Sequence, residues 1–484
     1  MVVSKKVSIY IFISMLMLLS YAIFWIDYSD IATLHEINIM GVLCILSFVY
    51  IYMSWYQCGG TLFNGYIVFI TAFYAFNLGQ PMLLVFDYVD EPYNLLLPYN
   101  YKSLKETEYF NAAFMGLVFI IVMHIGALIA LSNNLIKTGG DIQTPSNTQG
   151  KFLAIKKVSI LILIISFPLW LYTTYQEISF TAIYGYGDDF YTEVKSQNTG
   201  IVKLIGDYYE PAVLSYYLSC EYFKKNRLFA LLLIVSTLIV PPLMVGGRSQ
   251  AVVTAAMTLI IYSLFHQIKW GRILIVLLGA YIMLNVMYLV RRTRGSASVK
   301  LDTYVEILTN KENSPVSSAL SEMGNSMYPM GATMDIVPKE EGFRYGTTYL
   351  WALTAIIPNI GFGDKHPSQK YANLGQWLMR VRQLPSGPGF SIAAEAYLNL
   401  GIFGFIFFLF LGYYMAKYCI NINSRDVLIK PFLVIGTLIF LWFSIKTVRN
   451  SFVGMVRAFF YYALLLSFLY RYYYLKHYSN NEDS

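Results

Sequence analysis

The chain reads as long apolar runs separated by shorter polar stretches. About 20 apolar residues cross a bilayer as a helix. By that measure the runs at 8–26, 37–54, 62–79, 109–131, 157–175, 201–222, 228–245, 250–266, 273–290, 391–416, 431–447 and 452–470 predict about twelve transmembrane helices. The weakest is 201–222, which Lys203, Asp207, Glu210 and Pro211 interrupt. One stretch breaks the pattern, a long polar-to-mixed insert from Arg291 to Phe390. It opens on Arg291-Arg292-Thr293-Arg294-Gly295 and closes on Pro385-Ser-Gly-Pro-Gly-Phe390. The pattern therefore predicts an all-α integral membrane protein in three parts. These are N-terminal transmembrane helices over 1–290, a large extracytoplasmic loop over 291–390 and C-terminal transmembrane helices over 391–484.

Composition agrees with the pattern. The chain is 57% hydrophobic, 17% aromatic and 13% charged, with a mean hydropathy of +0.52. Soluble domains carry about 25% charged residues, so a large soluble core is excluded. The net charge of +7 is modest and calls for no nucleic-acid partner. Cys44, Cys58, Cys220 and Cys419 lie in or beside apolar runs without metal spacing and read as packing residues. The first run follows Lys5-Lys6 and lacks a small-x-small cleavage site, so it reads as a retained anchor.

Charge fixes an expected orientation. One alternate set of loops holds Lys5, Lys6, Lys137, Lys151, Lys156, Lys157, Lys224, Lys225, Arg227, Lys269, Arg272, Lys417, Arg425, Lys430, Arg471 and Lys476. The positive-inside rule makes these cytoplasmic and places both termini inside. The opposite loops carry Asp27, Asp30, Asp87, Asp90, Glu91, Glu106, Glu108, Glu177, Asp188 and Asp189. This topology puts 291–390 outside. Most of the Tyr and Trp residues near span ends fit a headgroup belt, with Tyr184 and Tyr186 of an outer turn as candidates for sugar stacking.

Against that topology several cations stand on the outer side. Arg248 lies in Gly246-Gly247-Arg248-Ser249-Gln250, and Arg291, Arg292 and Arg294 end the next outward span. Arg344, Arg380 and Arg382 belong to the insert, and Arg449 and Arg457 to the last outer turn and the helix after it, with Lys446 just before. Guanidinium groups match phosphate oxygens bidentately and stay protonated. A glycine turn opening a helix adds free N–H groups and a positive dipole end. Together they describe a site for phosphate or pyrophosphate at the outer boundary. The alternative for each arginine is headgroup contact or a structural ion pair.

Ser391, Glu395 and Asn399 recur every fourth residue and share one helical face. A carboxylate inside a span marks a functional-site candidate, here a group able to accept a proton from a sugar hydroxyl. The alternative is a carboxylate holding an arginine in place. Glu322 is a second candidate, and Asp364 and His366 are further ones, although a lone loop histidine reads first as solvated. No DxD-like pair appears in the insert and no His/Cys cluster appears, so neither a metal nor another cofactor is expected. Arginines would then take up the charge of a leaving pyrophosphate.

The run Pro388-Gly-Phe-Ser-Ile-Ala-Ala-Glu395-Ala-Tyr-Leu-Asn399-Leu-Gly401-Ile-Phe-Gly404 resembles the segment after the large outer loop of Wzy-type O-antigen or capsule repeat-unit polymerases. Gly246-Gly-Arg-Ser-Gln250, Glu322-Met-Gly-Asn-Ser, Tyr345-Gly-Thr-Thr-Tyr349 and Ile357-Pro358-Asn359 are similar to further landmarks of that family. The resemblance implies a GT-C-like, multi-pass glycosyltransferase of the bacterial inner membrane, working on its outer leaflet. Its donor and acceptor would be undecaprenyl-pyrophosphate-linked glycans, with membrane lipids around them and a chain-length regulator as a further partner. Carried over by residue, Arg248, Arg291, Arg294 and Arg457 become pyrophosphate ligands. Arg449, Arg344, Glu322 and Asn399 join the glycan site, and Glu395 becomes the base or acceptor-orienting group. The rival readings are an O-antigen-type ligase, which His366 keeps open, and a flippase for the same lipid, which should carry ionisable groups near the midplane. In the spans before 201, His124 is the exception to an almost complete lack of such groups.

Overall fold

A computed structural model describes residues 4–90, 93–97, 103–135, 147–184, 201–245, 248–267, 315–359, 365–384, 388–423 and 425–479, with isolated positions between 271 and 285. The expected span 273–290, together with Arg291, Arg292, Arg294, Asp364 and Tyr186, lies outside the described residues. Those described form helices and no strands. In chain order they are α1 (Lys5–Tyr28), α2 (Leu34–Gln57), α3 (Gly65–Leu84), α4 (Glu106–Leu135), α5 (Thr148–Tyr184), α6 (Ile201–Gly206) and α7 (Tyr209–Phe223). There follow α8 (Arg227–Met244), α9 (Arg248–Phe265), α10 (Pro315–Gly324), α11 (Tyr328–Ile336), α12 (Thr347–Leu353), α13 (Pro367–Ala372) and α14 (Leu374–Val381). The chain closes with α15 (Ile392–Ile420), α16 (Pro431–Arg449) and α17 (Val453–Tyr478).

Nine of these, α1 to α5, α8 and α15 to α17, are long and apolar enough to cross a membrane. They fall on nine of the predicted runs, which makes the chain a multi-pass membrane protein. The run at 250–266 forms a shorter apolar helix. The run at 201–222 divides at Asp207 and Tyr208 into α6 and α7, where the sequence places its charges. Caps start the outer helices of the bundle. Ser4 accepts the N–H of Val7 at 3.3 Å, and Asn64 accepts that of Tyr66 at 2.8 Å.

Helix α4 lies at the centre, with nearly every residue from Tyr109 to Leu131 buried. Its close partner is α15, and glycine sets the separation. A Cβ on Gly126 would run into the carbonyl of Leu409, and one on Gly412 into the carbonyl of Met123. In lipid, small residues let backbones approach and maximise dispersion contact. Above the glycines Phe119 stacks on Phe408 with ring centroids 4.8 Å apart. His124 is buried there between hydroxyls, 2.7 Å from Ser54 Oγ and 2.8 Å from Tyr66 OH. Both ring nitrogens have a hydroxyl partner, so this mid-span histidine is satisfied within the packed helices.

The described part of the insert is built onto the bundle. Gly324 at the end of α10 meets Gln80 of α3. The Gln80 amide donates to Ser321 O at 3.2 Å and to Asn325 Oδ1 at 3.1 Å, while its oxygen accepts Leu95 N–H at 3.2 Å. Farther on, Arg382 pairs with Asp335 at 2.6 Å, joining the end of α14 to α11.

Candidate functional site

The polar stripe on α15 begins at Ser391, whose hydroxyl caps the helix by accepting Ala394 N–H at 3.1 Å. Gly401, at φ +59°, then interrupts α15 and leaves the carbonyls of Leu398 and Asn399 without helical donors. The insert supplies them. Arg344 N–H donates to Leu398 O and Tyr345 N–H to Asn399 O, both at 2.9 Å. Gly346 N–H donates to Asn399 Oδ1 at 3.0 Å. To make this turn the backbone takes φ +46° at Tyr345 and +83° at Gly346, the second of which suits glycine.

Glu395 sits one turn earlier and is fully buried. Its Oε1 accepts the hydroxyl of Thr348 at 2.8 Å and its Oε2 the backbone N–H of Phe452 at 2.6 Å. Asn399 Nδ2 completes the set by donating to Thr348 Oγ1 at 2.6 Å and to Glu395 O at 2.8 Å. The carboxylate thus joins three separate pieces of chain: α15, the start of α12 and the turn before α17. No arginine holds it among the described residues. Its partners are a hydroxyl and a peptide N–H.

Arg449 ends α16 just before that last turn, and Arg457 lies in the first turns of α17 after it. Arg449 is exposed, with its guanidinium 5.7 Å from the ring centre of Phe76, and Arg457 is half-buried. Neither meets a carboxylate among the described residues. Arg344 differs, since it pairs with Glu341 at 2.5 Å on the outside of the insert. Arg248 is the first residue of α9. Glu322 lies half-buried on α10, away from the α15 stripe in sequence and joined to α3 through its neighbours. His366 is buried rather than solvated. Its Nδ1 accepts Ser368 N–H at 3.3 Å and lies 2.8 Å from Ser368 Oγ, capping α13.

The profile of the family described as O-antigen polysaccharide polymerase Wzy matches residues 8–482. The chain belongs to that family. No curated protein and no solved structure matches it. Membership makes this Wzy-family protein an O-antigen polymerase in general terms, a membrane enzyme of polysaccharide biosynthesis that acts on lipid-linked repeat units.

The Wzy-family chain also holds a polar group that its sequence disguises. At the α6–α7 break, Gln250 of α9 donates to Glu210 Oε1, and Lys446 Nζ of α16 lies 3.9 Å from Glu210 Oε2. Tyr462 of α17 donates to Asp207 Oδ2 at 3.2 Å. Lys446 Nζ also lies 3.5 Å over the Trp442 ring. In the sequence Asp207 and Glu210 look like flaws in a span, and Lys446 like one more cation beside arginines. The available signal was that charges inside an apolar run need partners.

Proposed function

We propose that this protein joins oligosaccharide repeat units at the outer face of the bacterial inner membrane. The donor is a glycan on undecaprenyl pyrophosphate, the acceptor is a second lipid-linked repeat unit, and undecaprenyl pyrophosphate leaves. The observation that carries the reading is the pair Arg449 and Arg457, free of carboxylates among the described residues, on either side of a turn that Glu395 pins to α15. A permanent charge within a membrane span, as at half-buried Arg457, is costly unless a partner neutralises it, and a lipid diphosphate supplies two phosphoryl groups. In this reading Arg248 at the start of α9 joins the cationic set, as do Arg291 and Arg294, which the sequence places after the run at 273–290 and which lie outside the described residues. The guanidinium groups stabilise the departing charge, and no metal is invoked. Glu395, with both oxygens engaged, serves as the group that positions this turn and, through Asn399, the Arg344–Gly346 segment where the acceptor enters.

The test uses purified full-length protein in lipid bilayers with a fluorescent lipid-linked repeat unit. The expected product is a ladder of longer glycans with release of undecaprenyl pyrophosphate. Passage of the intact lipid between leaflets without lengthening would overturn the proposal in favour of a flippase. Transfer to a lipid A core alone would overturn it in favour of a ligase.

A further inference from the structure

The acidic pair at the α6–α7 break is held by three elements, and each also carries one of the candidate arginines. Gln250, which donates to Glu210, is two residues from Arg248 on α9. Lys446, beside Glu210, is three residues from Arg449 on α16. Tyr462, which donates to Asp207, is five residues from Arg457 on α17. Residues 458–464 there form a π-helix, whose wider turn keeps Arg457 and Tyr462 near one face. Such π segments recur at functional sites.

The pair is also at the right end of the bundle. Helices α7 and α9 run parallel: Glu210 meets Gln250 at their starts, and Glu221 meets His266 at 2.9 Å at their far ends. The two contacts are eleven residues apart on α7 and sixteen apart on α9, about 16 and 24 Å of helix. The far contact includes Arg227, 3.2 Å from Glu221, one of the residues expected on the cytoplasmic side.

The geometry points to Glu210 as the carboxylate that takes the proton from the acceptor sugar hydroxyl, with Gln250 and Lys446 orienting it. Three features distinguish it from Glu395. Its side chain retains 14% exposure, where Glu395 has none. Among the described residues its Oε2 has only a long contact to Lys446, whereas both oxygens of Glu395 accept a hydrogen bond. Its neighbours Asp207, Gln250 and Tyr462 are the polar types that bind sugar hydroxyls. This assignment rests on the polymerase reading above. In the step, the acceptor oxygen bonds to the donor's anomeric carbon as that carbon's bond to the diphosphate breaks. The bonding pair leaves with the diphosphate, and the hydroxyl proton passes to Glu210. The charged groups facing Glu210 are Lys446 from α16, Asp207 from the α6–α7 break and Glu177 from α5, and Lys203 of α6 faces Asp207.

The experiment compares Glu210→Gln, Glu210→Asp and Gln250→Met in full-length protein with the lipid-linked repeat unit. Glu210→Gln keeps volume and an acceptor for Gln250 but cannot take a proton. It should lose about a hundredfold or more in turnover, the usual worth of a general base, with donor binding unchanged. Gln250→Met removes the tie between helices and keeps the carboxylate, and should cost less than tenfold. In Glu210→Asp the acidic limb of the pH–rate profile should move. Glu210→Gln within threefold of wild type would overturn the assignment, as would equal losses in Glu210→Gln and Gln250→Met. If Glu210→Gln fails to accumulate, an unmoved acidic limb in Glu210→Asp overturns it. A wild-type protein that lengthens no lipid-linked glycan fails the polymerase reading instead.

Discussion

Glu395 Oε2 accepts the backbone N–H of Phe452 at 2.6 Å. One buried carboxylate on α15 thereby fixes the turn between Arg449, at the end of α16, and the start of α17, which carries Arg457. Its other oxygen holds Thr348 at the start of α12. The turn before α17 and the start of α12 are consequently tied to the same side chain.

Glu395→Ala should leave a buried N–H and a buried hydroxyl without acceptors. Each orphaned group costs about 1–3 kcal/mol, so thermal stability in detergent should fall along with polymer length. Glu395→Gln keeps one acceptor and can donate to Thr348, and should retain the fold. Thermal denaturation followed alongside the ladder assay separates these effects. Loss of all turnover in a fully stable Glu395→Gln would show that the carboxylate does chemistry and is more than a clamp.

Arg457→Ala and Arg449→Ala should each shorten the glycan ladder while leaving the protein in the membrane. If contact is bidentate, Lys at either position should recover little, since an ammonium offers a point charge and no fork. Binding of the lipid-linked donor should weaken in parallel. Both Ala variants making full-length chains would remove these residues from the site.

Gly412→Val should disrupt the contact between α4 and α15, because its side chain would occupy the space of the Met123 carbonyl. Overpacking of this kind costs about 1–3 kcal/mol or more. The loss should appear as a lower melting temperature and poor membrane accumulation. Gly342→Ala in the insert, where an added Cβ meets nothing within 4 Å, is the matched control and should be silent.

Sidedness can be read by thiol labelling, since the four native cysteines are all buried. A cysteine replacing exposed Lys339 should react with a membrane-impermeant maleimide on the periplasmic side. One replacing exposed Lys476 should react only after the membrane is opened. The reverse pattern would invert the topology.

Much of the architecture was legible in the residue order. Nine apolar runs became nine long helices because lipid obliges a spanning segment to satisfy its own backbone as a helix. The Ser391–Glu395–Asn399 stripe was legible for the same reason: a four-residue spacing places side chains on one helical face whatever surrounds them. The partners of that stripe were not. The alternative reading paired Glu395 with an arginine, and the structure gives it the Phe452 N–H and the Thr348 hydroxyl, because the turn before α17 and the start of α12 pack onto that face of α15. His366 was expected in solvent and caps a buried turn.

By itself, then, the sequence determined the membrane class, the long helices and the family, all written in local composition and in motifs read one stretch at a time. Tertiary structure alone decided which charges meet. Tyr462 reaches Asp207 across 255 residues of chain, and Lys446 finds Glu210 only because α16 packs beside the α6–α7 break. Periodicity records which face of a helix is polar. It carries no information on which other helix that face will touch, since that depends on how all the helices pack at once.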